Sequence, residues 1–127
     1  MRAAETSQTE TVARRYFDAW TTRDTATAAS VLADDFRFTA GDLTIEGRGA
    51  FLEAGAFPHD ARTEMVAEAY QGEVAFQMYD STRGDHSVRI VEQLSVRDGS
   101  IRSSTFVTDM AAFMALMGQM TERDEPS

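Results

Sequence analysis

Cysteine is absent from this 127-residue chain, which excludes a disulfide framework, a thiolate metal site and a cysteine nucleophile. Basic residues are scarce. Twelve of them against 21 acidic ones leave a formal charge of -9 and a pI near 4.6, a field that repels nucleic-acid phosphates and anionic lipid. Apolar runs are short, none nearing the roughly 18 residues that span a bilayer, and the polar stretch Met1 to Glu10 has no apolar segment of the secretory kind. Neither nucleic acid nor membrane is therefore an expected partner, and the cytoplasm is the expected location. Two histidines are present, in His59-Asp60 and Asp85-His86, without a third ligand at metal spacing; no metal and no cofactor is expected.

What is present suffices for one core. Hydrophobic residues make up 43% of the chain, with eight Phe, three Tyr and one Trp, enough apolar surface to offset chain entropy. The length suits a single domain over 1–127, with 1–8 and 121–127 expected to fray.

Val12, Tyr16, Phe17 and Trp20 form one apolar stripe and predict a helix from about Thr9 to Thr22. Asp24 or Thr25 caps a second, Ala-rich helix through Val31 and Leu32. Phe36, Phe38 and Ala40 alternate with polar residues as a strand, and Leu43 to Glu46 adds a short one. Ala50 to Phe57 reads as a third helix stopped by Pro58. Four alternating runs follow, Thr63 to Tyr70, Val74 to Asp80, Ser87 to Val96 and Ile101 to Thr108. Their connections, Gln71-Gly72, Arg83-Gly84-Asp85 and Asp98-Gly99, suit tight hairpins. Asp109 caps a last helix, Met110 to Met120, with Phe113, Leu116, Met117 and Met120 on its apolar face. The fold class is α+β, an antiparallel sheet with three N-terminal helices and a short C-terminal one.

The stretches Tyr16-Phe17-Asp18-Ala19-Trp20, Val31-Leu32-Ala33-Asp34-Asp35-Phe36, and Val96-Arg97-Asp98-Gly99-Ser100-Ile101 running to Asp109-Met110-Ala111-Ala112-Phe113 occur in an order and spacing that resembles the nuclear-transport-factor-2-like (SnoaL-like) superfamily. The resemblance implies a cone-shaped sheet enclosing an apolar pocket, a hydrophobic polyketide-, steroid- or terpenoid-like small molecule, and a homodimer packed through outer sheet faces, where Val91 would lie. The superfamily holds ketosteroid isomerases, polyketide cyclases, limonene epoxide hydrolases and proteins without chemistry, so fold does not fix function.

Strand parity puts Val88, Ile90, Glu92, Leu94 and Val96 on one face, leaving Glu92 in an otherwise apolar row. Desolvation should raise the pKa of such a carboxyl and let it donate a proton near neutrality. Against the ketosteroid isomerase pattern, Tyr16 matches the oxyanion tyrosine and Glu92 the protonated acid, whereas the position of the base holds Ala40. Asp42 or His59 are the candidate replacements. The epoxide hydrolase pattern matches less, with Ile90 and Phe106 where its Arg and last-strand Asp belong. Trp20, Phe36, Phe38, Phe51, Phe57, Phe76, Met78, Ile90, Leu94 and Phe106 are the expected pocket lining. Each residue also has a plainer reading. Tyr16 and Trp20 can be core, Asp109 a helix cap, and Glu92 a partner for a neighbouring Arg or part of a dimer face. Two classes stand: a small-molecule acid/base enzyme of isomerase, cyclase or hydrolase type, and a non-catalytic binding or assembly domain.

Overall fold

Val12, Ala13, Tyr16 and Ala19 are buried along one side of α1 (Arg2–Thr21), the first helix of the computed structural model, which describes residues 2–54 and 60–124. The helix starts at Arg2 rather than at the expected Thr9. Thr9 donates its hydroxyl to the carbonyl of Gly72 at 2.6 Å, and the Gly72 amide donates to the Thr6 hydroxyl at 2.9 Å, so the first turns are tied to a hairpin distant in sequence. A polar stretch gives no periodic sign of such a contact.

Asp24 caps α2 (Thr25–Val31), its carboxylate accepting from the Thr27 amide at 3.1 Å. The chain then extends directly into β1 (Leu32–Ala40), turns at Gly41-Asp42 into β2 (Leu43–Glu46), and forms α3 (Arg48–Ala54). The end of the expected third helix, with Phe57, Pro58 and His59, lies outside the described residues. The long strands follow as β3 (Arg62–Gln71), β4 (Val74–Arg83), β5 (His86–Arg97) and β6 (Ser100–Thr108), then α4 (Met110–Asp124), whose backbone continues beyond the expected end at Met120. Asp109 accepts from the Ala112 amide at 3.1 Å and so caps α4. At the β5–β6 turn Asp98 and Gly99 have φ of 56° and 79°, the left-handed pair that lets a two-residue hairpin follow the strand twist.

The six strands form one curled sheet in the order β2-β1-β6-β5-β4-β3. It is mixed rather than wholly antiparallel: β1 runs parallel to β6, with Ala40 beside Phe106, while the other pairs are antiparallel. A parallel partner arrives through a long crossover and leaves no turn signature in the sequence.

Two groups of side chains fill the concave side. Tyr16, Phe36, Phe51, Leu94, Val96 and Ile101 form one, with Trp20 and Phe38 against it. Ala40, Tyr79, Val88, Ile90, Phe106 and Leu116 form the other, joined by Phe17, Phe113 and Met117. Rings link them: Trp20 stacks on Phe51 at 5.1 Å, Phe38 lies 5.0 Å from Phe51 and 5.5 Å from Phe106, and Phe106 meets Phe113 edge-on at 5.0 Å. Such pairs add roughly 0.5–1.5 kcal/mol each beyond the area they bury. No helix among the described residues is long and apolar enough to cross a membrane.

Candidate active site

The alternation of β5 buries Val88, Ile90, Glu92, Leu94 and Val96 together, none more than 5% exposed. Glu92, at 2%, is the sole carboxylate among the buried side chains of the described residues. Antiparallel pairing sets Gln77 of β4 directly opposite it and Tyr79 one step along the same face. On the other flank β6 contributes Ser104, and α1 crosses above with Tyr16.

Three hydroxyls converge on the carboxyl group. Tyr79 donates to Oε1 at 2.8 Å, Ser104 to Oε2 at 2.5 Å, and Tyr16 to Oε2 at 3.3 Å. No Arg or His takes part in these contacts. Burial pushes the Glu92 pKa above its ordinary value, and the donated bonds from Ser104, Tyr79 and Tyr16 oppose the rise by favouring the charged form. Tyr16 and Tyr79 are both pushed well above the usual phenol range, first by burial and then by the nearby Glu92 charge. Both phenols therefore keep their protons and act as donors. The arrangement can hold a proton on a carboxyl in an apolar surround, or stabilise negative charge on oxygen through fixed hydroxyls.

Of the residues singled out in the sequence, Tyr16 and Glu92 are brought into contact. Trp20 stacks on Tyr16 at 6.1 Å. Phe36, Phe51, Ile90, Leu94 and Phe106 are buried in the interior, and Phe38 is partly buried beside them. Ala40 is 3% exposed and lies in the apolar group with Ile90 and Phe106. Asp42 does not join them: Ala40 pairs with Leu43, so Asp42 sits exposed in a two-residue turn. His59 and Phe57 lie outside the described residues.

Phe76 and Met78 are on the wrong face for a pocket. Ala75, Gln77 and Tyr79 turn inward, which leaves Phe76 46% exposed and Met78 half-buried on the outer side. Both faces of β4 carry apolar residues, so hydrophobicity alone does not choose between them. The hairpin does. Arg83 pairs with His86 across Gly84-Asp85, with Gly84 at φ 59°, and counting back from that turn sets Tyr79 beside Ile90 and Gln77 beside Glu92. That register was the available signal for Tyr79 and Gln77. Ser104 had a weaker one, because a bulge between Ser95 and Val96 shifts the β5–β6 register.

Among the described residues, Tyr16, Tyr79, Ser104 and Gln77 pack around Glu92. A groove of about 190 Å³ between α1 and β3, lined by Arg14, Phe17, Asp18, Met65 and Glu68, reaches inward as far as Phe17. The Phe17 ring meets Tyr79 edge-on at 5.3 Å. Among the described residues no cluster of three His, Asp or Glu side chains could hold a metal ion.

Residues 13–104 match the SnoaL-like domain. No curated protein sequence matches the chain. Among solved structures, a candidate ketosteroid isomerase from Kribbella flavida is similar at 29% identity and a TM-score of 0.78, covering 82% of this chain and 79% of its own. A candidate SnoaL-like polyketide cyclase from Jannaschia sp. CCS1 has a TM-score of 0.79 at 17% identity, covering 99% of both chains. An epoxide hydrolase from M. tuberculosis has a TM-score of 0.71 at 20% identity, over 97% of this chain and 99% of its own. The last two likenesses concern the fold alone. The family match covers most of the chain, and the fold is that of solved nuclear-transport-factor-2-like structures such as one from Burkholderia xenovorans LB400, with a TM-score of 0.74 at 15% identity over 82% of this chain and 84% of its own; the chain belongs to the SnoaL-like domain family.

Proposed function

We propose that the chain is a small-molecule enzyme in which Glu92 supplies acid chemistry to an apolar polyketide-, steroid- or terpenoid-like substrate, with Tyr16 and Tyr79 as oxygen-directed donors. The observation that carries this is a carboxyl group 2% exposed, held by three hydroxyls and by no cation. A merely structural acid in an apolar interior is costly unless paired, and sites that combine desolvation with fixed donors are where catalytic proton transfer is arranged. The 29% identity to a candidate ketosteroid isomerase supports the same reading. Ala40 leaves no side-chain base at the position used by the isomerases. The reaction proposed is therefore one led by acid or oxyanion stabilisation, as in a carbonyl polarised for cyclisation or enolisation.

The second reading, a ligand-binding or assembly domain, is favoured by the outer sheet face. There Phe76, Met78, Val91 and Val107 share one side of β4, β5 and β6, Phe76 and Val107 being 46% and 58% exposed. We assign that face to a homodimer. Sedimentation of the native chain and of Phe76→Glu reads this directly: a dimer that becomes a monomer supports it, and a monomeric native chain rejects it.

A thermal-shift screen with steroid, polyketide and terpenoid panels tests the enzyme reading, repeated on Glu92→Gln. Ligands whose shift and turnover are lost in Glu92→Gln support it. Ligands that bind both proteins equally, without turnover in either, support plain binding.

A further inference from the structure

The Glu92 carboxylate has about four lone-pair positions, two on each oxygen. Oε2 receives two donors, Ser104 from β6 and Tyr16 from α1. Oε1 receives one, Tyr79 from β4. One position on Oε1 is therefore unused, and Oε1 is the oxygen turned toward β4. Directly opposite Glu92 on β4 stands Gln77, where paired side chains on one face have Cβ atoms about 4.5–5.5 Å apart.

Gln77 is 1% exposed, and its Oε1 is the one buried side-chain oxygen or nitrogen without a hydrogen-bond partner among the described residues. Its amide is not free to turn over. Nε2 donates to the Tyr70 hydroxyl at 3.2 Å, and that hydroxyl donates to Glu68 Oε1 at 2.5 Å, which Arg14 Nε holds at 3.0 Å. Since the Tyr70 proton is committed to Glu68, Tyr70 can only accept from Gln77. The amide nitrogen therefore faces Tyr70 and the carbonyl faces away from it. A buried carbonyl left without a donor is costly, and a native interior rarely keeps one without cause.

We propose that Gln77 Oε1 is the acceptor for the acid proton of Glu92, carried on Glu92 Oε1, so that Gln77 is a positioning residue which fixes both the proton and the oxygen that bears it. A proton on Oε2 would have to displace Ser104 or Tyr16. A proton on Oε1 uses the unused position and satisfies the orphaned carbonyl in one step. The charge balance is simple: solvent or substrate supplies one proton, the carboxylate becomes a neutral acid, and no other bond changes. Among the described residues, the polar groups facing Glu92 are Tyr16 on α1, Tyr79 and Gln77 on β4 and Ser104 on β6. The nearest charges of that network, Glu68 and Arg14, are paired with each other beyond Tyr70. Burial raises the Glu92 pKa in the same direction. The inference takes the acid role of Glu92 from the proposed function, yet its test needs no substrate, so either can fail alone.

The test is a pH titration of side-chain ¹³C-labelled Glu in the full chain, with the Glu92 resonance assigned by its loss in Glu92→Gln. The native protein is expected to show Glu92 titrating above its surface carboxylates. In Gln77→Met, which keeps the volume and removes the acceptor, the midpoint falls by about one pH unit, a tenfold change in proton affinity. Tyr70→Phe leaves Oε1 in place and is expected to shift the midpoint by much less. A Glu92 midpoint unchanged in Gln77→Met, or moved equally by Tyr70→Phe, overturns the proposal. Should Gln77→Met fold poorly, the infrared carbonyl band of the native protein decides: a hydrogen-bonded protonated carboxyl band that vanishes in Glu92→Gln supports it, and no such band at neutral pH refutes it.

Discussion

The two faces of the β4–β5 pair handle a carboxylate in opposite ways. On the outer face Asp80 lies across from Arg89 and receives Nε at 2.8 Å and Nη2 at 3.0 Å, in contact with solvent. On the inner face, three residues further along β5, Glu92 receives three hydroxyl donors and no cation. The Arg89 guanidinium holds the Asp80 carboxyl below its usual range, whereas burial lifts that of Glu92 above its own. Water screens the outer pair, so little stability or chemistry depends on it. The inner group has no such relief, and its proton affinity becomes a property of the fold.

The contrast is broken most severely by Glu92→Ala. This leaves Tyr16, Tyr79 and Ser104 without their shared acceptor and opens a cavity among well-packed neighbours. A loss of about 3 kcal/mol is expected by urea denaturation, and a loss within scatter would mean that the hydroxyls are readily satisfied elsewhere.

Glu92→Gln sharpens the comparison through pH. Because the folded-state pKa of Glu92 is raised above its ordinary 4.5, the folded protein binds more protons than the unfolded chain. The contribution of Glu92 is thus fully present below that ordinary value and is lost as pH rises through the folded pKa. Glu92→Gln has no such dependence. The stability of the variant relative to the native protein should rise across that window and level off above it, as read by thermal unfolding at a series of pH values. A difference that stays flat, or that falls with pH, would contradict the raised pKa.

Between these and the outer pair stands Tyr79→Phe, which removes the 2.8 Å donor to Glu92 and keeps the ring against Phe17. The expected loss is about 1–2 kcal/mol, with the Glu92 midpoint moving upward because a bond to the charged form is gone. Tyr16→Phe, which removes a 3.3 Å bond, should move it less.

The sequence made the inner face of β5 legible because only one alternation along that strand buries Val88, Ile90, Leu94 and Val96, and Glu92 must travel with them. The α1 stripe was equally plain, and with it the meeting of Tyr16 and Glu92. Elsewhere the local pattern was ambiguous. On β4 apolar residues occupy both faces, and by hydropathy Phe76 and Met78 are as fit for the interior as Ala75 and Tyr79. Only the hairpin register separates them. Asp42 was a candidate base while its loop was undefined, but a two-residue turn fixes it in solvent. The β1–β6 parallel pair joins segments far apart in sequence, which no short-range pattern encodes.

The smallest effect belongs to the outer face, and there the pH slope has the opposite sign. Asp80 has a lowered folded pKa, so its contribution is present above the unfolded carboxylate pKa and fades as pH falls. Asp80→Ala should therefore leave the urea midpoint almost unchanged near neutrality. What difference remains should disappear in 1 M salt, where the Debye length is only about 3 Å, and also at acid pH. The pH dependence around Glu92 should persist in that salt, because no mobile ion reaches a carboxyl 2% exposed. A salt titration of the two variants thus separates screened from enclosed charge on one pair of strands. If salt flattened the Glu92 profile as well, solvent would be reaching the inner face, and the enclosure on which the proposed acid chemistry depends would be lost.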